Sequence, residues 1–404
     1  MIHRSLLGIA PALVALLCLA GCGGGGGGGG SSPPPPPATQ NVAPIVVDGG
    51  PVNIPDLAFV SVTICAPGSN VNCQTIDHIQ VDTGSSGLRI IASVLSPALS
   101  LPQQTDGNGN ALAECAQFAD GFSWGSVRMA DIKIVGEQAS SVPIQIIGDS
   151  AFPAIPASCS NSGPPENTVQ DFGANGLLGV GLFVQDCGGA CAQVAIPGTY
   201  YICPAGNCNA TQVPVANQLQ NPAALFPADN NGVIVQLPSI PPAGALTANG
   251  SLVFGIGTQM NNGLGGATVL TADPRTGNIV TTFNNKMYAS SFIDAGSSVV
   301  FFEISAYPLC TGVASGFYCP QTTQNLAATL QGVSSGSSNV NFSVANADQL
   351  FNANPSFNAF NNLAVPSGDT TTFAWGLPFF YGRSVFTAIE NRNTPGGTGP
   401  YFAF

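Results

Sequence analysis

Charge is what this chain has least of. Only 7% of its residues are Asp, Glu, Lys or Arg, against about 25% in an ordinary globular domain. The 8 Lys and Arg are outnumbered by 20 Asp and Glu, for a net charge of -12. That balance excludes electrostatic binding of nucleic acid and adhesion to an anionic lipid surface. Histidine is almost missing too: the 2 present are His3 and His78. A Ser-His-Asp triad or a His-rich metal centre would have to use His78, which reads as a sideways-facing strand residue. No metal and no cofactor is expected. Beyond the first 20 residues no apolar run is long enough to span a bilayer. Low charge can mean disorder, but 45% of the residues are apolar, with Gly, Asn, Ser, Thr and Pro in place of charges. Such a composition predicts an exported all-β protein of strands and turns.

The chain starts as a removable address. Met1 to Arg4 is basic, and Leu6 to Ala20 is an apolar run too short to span comfortably. It ends in Leu19-Ala20-Gly21-Cys22, which looks like a bacterial lipobox. Residues 1–21 are read as a lipoprotein signal peptide and Cys22 as the lipidated first residue, with an uncleaved signal anchor as the alternative. Gly23, not Asp, follows the cysteine, which favours the outer membrane over the inner. The expected location is the bacterial cell envelope, periplasmic or surface face, with the membrane touched through the lipid alone. Residues 22–40 form a tether, flexible along Gly23 to Gly30 and stiff along Pro33 to Pro37. Folding should begin near Asn41, with no basic pro-segment between tether and fold.

Of the 12 cysteines, setting aside Cys18 and Cys22 leaves an even ten. In an oxidising compartment these read as disulfides. Cys65 with Cys73 and Cys310 with Cys319 would close local loops, and Cys115 with Cys159 is a plausible third pair. Cys187, Cys191, Cys203 and Cys208 form a cluster whose pairing the sequence leaves open, with a four-cysteine zinc site as the alternative.

Chemistry concentrates in two stretches. Val81-Asp82-Thr83-Gly84-Ser85-Ser86-Gly87-Leu88 has an apolar approach, an Asp, a turn, two Ser and an apolar exit. Phe292-Ile293-Asp294-Ala295-Gly296-Ser297-Ser298-Val299-Val300 repeats the pattern far downstream. One such turn is weak evidence, because Asp, Gly and Ser are ordinary turn residues. Two of them would each hold a carboxylate at the end of a strand. If they face each other, both cannot ionise easily and they share a proton.

The chain resembles the pepsin-like aspartic peptidases. Gln74 to Leu88 is similar to that family's approach strand and first motif, and Phe118-Ala119-Asp120-Gly121 to the tip of its flap. Asn175-Gly176-Leu177-Leu178-Gly179 and Ala374-Trp375-Gly376 are similar to its two apolar-apolar-Gly elements. Asn249 to Gly255 is similar to the opening of its second lobe, and Gly382 to Ile389 with Gly399 to Phe404 to its closing hairpin. The resemblance implies a two-lobed fold with a central cleft, lobes at residues 41–240 and 241–404, a monomer, and a peptide or unfolded protein as substrate. It implies Asp82 and Asp294 as the catalytic pair, with Thr83, Gly84, Ser85, Gly296 and Ser297 supporting the dyad and Phe118 over the cleft.

The chain departs from the family pattern in places. Ala295 stands where a Thr or Ser would give a second cross-loop hydroxyl. Phe118 replaces the flap Tyr, and Arg89 its Trp partner, which would bring a cation near the flap. Two functions are therefore carried forward: an aspartic endopeptidase, and a catalytically weak or inactive pepsin-like lipoprotein that binds peptide or protein.

Overall fold

A computed structural model describes residues 40–404. The signal segment, the lipidation site Cys22 and all but the last residue of the tether lie outside the described residues. Strands dominate because the sequence alternates at period two over short apolar runs. In Ile279–Phe283, for instance, Ile279, Thr281 and Phe283 are buried while Val280 and Thr282 are partly exposed.

A 15-stranded sheet carries most of the strands before Phe254 and also the last strands of the chain. Within it the first strand, Val42–Val47, pairs with Ala58–Cys65 on one side and Ala248–Phe254 on the other. From there it continues through Gly232–Leu237, Arg383–Ala388 and Tyr401–Ala403. The closing hairpin read from the sequence is present, with Phe386 opposite Ala403. A second, 7-stranded sheet is built from residues between Ile279 and Trp375. Its interior is aromatic: Phe302 stacks on Phe373 at 5.1 Å, and Phe342 meets Trp375 edge-on at 5.1 Å.

Helices are short. Ala347–Ala353 has 7 residues and is capped by the Asn346 side chain, which accepts from the Gln349 amide. Among the described residues no helix is long and apolar enough to cross a membrane. Between Val213 and the strand Gly232–Leu237 the chain makes two 3-10 turns, Val215–Asn217 and Pro222–Leu225. Pro222 lacks an amide hydrogen and holds Asn221 out of helical geometry, at ψ 112°.

All ten cysteines of the folded part are paired. Cys65–Cys73, Cys115–Cys159 and Cys310–Cys319 are joined as expected. The open cluster resolves into two local bridges, Cys187–Cys191 and Cys203–Cys208. With every sulfur of that cluster in a disulfide, it offers no thiolate to zinc. His78 sits at φ 49°, where the pairing of Ala58–Cys65 with Cys73–Asp82 slips by a residue. Its ring meets Phe59 edge-on and its Nε2 lies 3.4 Å from Asp48.

Candidate active site

Each Asp loop is wrapped in the same way. Cys73–Asp82 delivers Asp82, the chain turns, and Ser86–Ile91 leaves. The strand Gly176–Val180 inserts between these two arms, parallel to the first and antiparallel to the second. In the other half, Lys286–Ile293 delivers Asp294 and Val300–Phe301 leaves. Thr372–Trp375 inserts between them, parallel to the first and antiparallel to the second. The inserted strand forces glycine at its end. A Cβ on Gly179 would meet Ser86 backbone carbon at 2.7 Å, and one on Gly376 would meet Val299 O at 2.0 Å.

Within each loop the carboxylate is held by its own turn. Asp82 Oδ1 accepts from the Gly84 amide at 2.7 Å and Oδ2 from the Ser85 hydroxyl. Asp294 Oδ1 accepts from the Gly296 amide at 2.8 Å and Oδ2 from the Ser297 hydroxyl at 2.8 Å. The two turns then face each other. A Cβ on Gly84 would lie 2.9 Å from the Asp294 carboxyl carbon, and one on Gly296 would lie 2.7 Å from Asp82 Oδ1. Glycine is needed at both places because each loop's backbone approaches the other loop's carboxyl. Both Asp are buried, at 5% and 8% exposure. Burial pushes the Asp294 carboxyl well above the usual range. The charge of Asp82 and a hydrogen bond to it push the same way, while Gly296 and Ser297 oppose.

Cross-loop bonds fix the pair. Thr83 Oγ1 accepts from the Ala295 amide at 2.9 Å and lies 3.5 Å from Ile293 O. Ala295 has no hydroxyl to return the bond. Gln80 Nε2 donates to Gly296 O at 2.7 Å, a second tie between the halves. Sequence reading missed Gln80. Its signal was a polar residue inside the apolar run Ile79 to Val81, two positions from Asp82 and hence on the same strand face.

The hairpin of Leu112–Gln117 and Phe122–Ile134 carries Phe118 at its tip, where the Phe118 amide bonds Gly121 O. The Phe118 ring packs edge-on against Phe172 at 5.9 Å. This hairpin is pinned. Tyr200–Ile202 pairs along its outer strand, and Cys115–Cys159 bridges that strand to the segment at Cys159. Near its tip Phe122 exchanges backbone bonds with Pro164 and Glu166.

Arg89 is not a free cation beside the hairpin tip. It is buried, at 3% exposure, and its Nη2 lies 2.6 Å from Glu114 Oε1 and 3.6 Å from Asp186 Oδ2. Tyr200 hydroxyl closes the cluster by donating to Asp186. Burial first, and then the charge of Glu114, hold the Asp186 carboxyl well above its ordinary range despite Arg89. Glu114 and Asp186 were missed. A Glu inside an apolar strand, in a chain so poor in charge, was the available signal.

Strands in two sheets, with matched Asp-x-Gly-Ser-Ser turns whose carboxyls face each other, define the pepsin-like fold. The chain belongs to a protein family described as "Protein of unknown function (DUF3443)", whose sequence profile matches residues 37–404. No curated protein matches it. Among solved structures it is similar to an aspartic proteinase from Irpex lacteus at 13% identity and a TM-score of 0.48, covering 90% of this chain and 96% of the other.

Proposed function

We propose that this chain is an aspartic endopeptidase of the bacterial cell envelope, tethered through lipid on Cys22, with the cleft between lobes 41–240 and 241–404. One observation carries the reading: the Asp82 and Asp294 carboxyls are each cradled by their own turn and pressed against the glycine of the other. Such a pair holds one proton between two carboxyls and titrates as a unit. The ionised carboxyl takes a proton from water as the water oxygen bonds to the peptide carbonyl carbon. The protonated carboxyl gives its proton to the carbonyl oxygen. Collapse of the tetrahedral species breaks the C–N bond: the leaving nitrogen takes a proton from one carboxyl while a hydroxyl of the tetrahedral carbon gives one to the other, so the pair ends with one proton again. Ser85 and Ser297 keep the carboxyl planes oriented, and Phe118 supplies apolar surface at the hairpin tip. Because the pair works only while it holds one proton, the rate peaks at acid pH and falls as that proton leaves.

The second reading is a binding lipoprotein that takes peptide without cleaving it. Ala295, which leaves the cross-loop bonding one-sided, and the pinned hairpin favour it. The full chain assayed on an unfolded protein across pH separates the two. The enzyme reading expects cleavage at acid pH, blocked by a statine-type inhibitor and abolished in Asp82→Asn and Asp294→Asn. Peptide binding with wild type and both variants equally inert at every pH replaces it with the binding reading.

A further inference from the structure

One cavity of the described residues has neither Asp in its lining. It has a volume of about 560 Å³ and opens among the hairpin strands Gln324–Gln331 and Ser337–Val344 and the segment from Trp375 to Arg383. That size is within the range of small-molecule sites. Phe342, Trp375 and Phe379 supply aromatic wall, and Leu326 adds an aliphatic side. Asn325, Asn341, Asn361 and Ser343 supply neutral polar groups, and Arg383 is the single charged residue of the lining.

Acids outnumber bases by 20 to 8. Arg89 and Arg128 both sit against carboxylates, at 2.6 Å and 2.9 Å. Arg383 has no carboxylate partner among the described residues. Its Nη1 donates to Phe379 O at 2.5 Å, its Nη2 donates to Asn341 O at 3.5 Å, and its guanidinium lies over the Phe379 ring at 4.6 Å. A half-buried guanidinium held by two carbonyls and a ring face keeps its remaining donors unused, and burial lowers its pKa with no acid to oppose. Asn361 adds an unmet acceptor, suited to a ligand N–H and not to the carboxylate itself: its Nδ2 donates to Ile240 O, while its buried Oδ1 has no partner. A cation without a counter-ion beside aromatic surface is matched by an anion attached to an apolar body.

We propose that this cavity is a second ligand site that binds a carboxylate carrying an apolar or aromatic chain, the carboxylate on Arg383 and the chain against Phe342 and Trp375. A free fatty-acid-like carboxylate and the C-terminus of a peptide ending in an apolar residue share this chemistry. The site is independent of dyad activity, although it lies behind the second Asp loop: Trp375 O accepts the Asp294 amide at 3.0 Å.

The test is calorimetric titration of the full chain in detergent, with empty micelles as blank. The probes are 4-phenylbutyrate against 4-phenylbutan-1-ol, and N-acetyl-Leu-Phe with a free carboxylate against its C-terminal amide. At least one carboxylate should bind saturably, and roughly tenfold or more tighter than its neutral twin, as loss of a charged hydrogen-bond partner implies. Which carboxylate binds better names the source. Arg383→Gln should erase the preference, and Ser343→Trp should fill the cavity and abolish binding, with thermal melts showing both variants folded. Should Arg383→Gln fail to fold, the carboxylate-to-neutral ratio together with Ser343→Trp decides. Equal affinity for carboxylates and their neutral twins, binding that survives Ser343→Trp, or no saturable binding of either carboxylate overturns the proposal.

Discussion

Thr83 Oγ1 accepts the Ala295 backbone amide across the two Asp loops, 212 positions apart in sequence, at 2.9 Å. The reverse bond is missing because residue 295 carries only a methyl. Ala295→Thr restores a hydroxyl facing the first loop. A single neutral hydrogen bond is worth about 1 kcal/mol net, so turnover at the acid optimum should rise severalfold, read as kcat on an unfolded substrate. Unchanged or lower kcat in a variant that melts like wild type would show the one-sided bonding to be sufficient.

Carboxyl pairs elsewhere set the pH dependence of stability. Burial, and then Asp229, push Glu137 up to about 7. Burial, and then Asp120, push Glu166 up to about 8. An unfolded Glu titrates near 4.3, so the folded state binds more protons between these values. The stabilisation is complete below about 4.3 and is lost as pH rises through about 7 and about 8. Asp294, Asp186 and Asp56, all raised by burial, act in the same direction. Thermal melts should therefore give a higher midpoint at pH 5 than at pH 8.5, with Glu137→Gln and Glu166→Gln flattening the difference. A midpoint that rises toward pH 8.5 would contradict this.

Arg89 should matter for folding more than for the rate. Arg89→Met leaves Glu114 and Asp186 buried against each other without a cation. Breaking a buried ion pair from one side costs about 3–5 kcal/mol. Urea unfolding should show a loss of that order, and adding Glu114→Gln to Arg89→Met should recover part of it. A loss below about 1 kcal/mol would mean that water, not Arg89, satisfies the pair.

Asp56 separates charge from hydrogen bonding. Its Oδ1 accepts from the Phe360 amide at 2.8 Å and the Tyr381 hydroxyl at 2.7 Å. Burial raises the carboxyl well above its ordinary range and so favours the neutral form, against the opposing bonds from Phe360 and Tyr381. Asp56→Asn keeps the accepting oxygen and suits the residue's φ of 56°. It should cost less than Asp56→Ala, which leaves two buried donors unpaired and should cost roughly 2–4 kcal/mol. Equal losses in urea titrations of the two variants would refute the neutral-acceptor assignment.

Local features were legible in the sequence. Ala58 to Ile64 reads as a strand, and the strand Ala58–Cys65 is there. Cys65–Cys73 and Cys310–Cys319 could be named from their short loops, whereas the pairing of the four central cysteines was left open and its two local bridges came from the structure. The hairpin tip at Phe118 was legible as a turn. Its pinning was not, because Tyr200–Ile202 and Cys159 reach it from distant segments.

The sequence by itself determined what repeats or sits within a few residues: the period-two burial of the strands, the two Asp turns with their own Gly and Ser donors, and the local disulfide loops. These depend on backbone geometry and short loops, which neighbouring residues dictate. Only the tertiary structure decided that Gly84 meets Asp294 and Gly296 meets Asp82, that Arg89 is consumed by Glu114 and Asp186, and that Arg383 is left without an acid. Each is a meeting of side chains brought together by strand order. In a chain with so few charges, the partner of each charge is set by which strands become neighbours, and spacing along the sequence carries no trace of it.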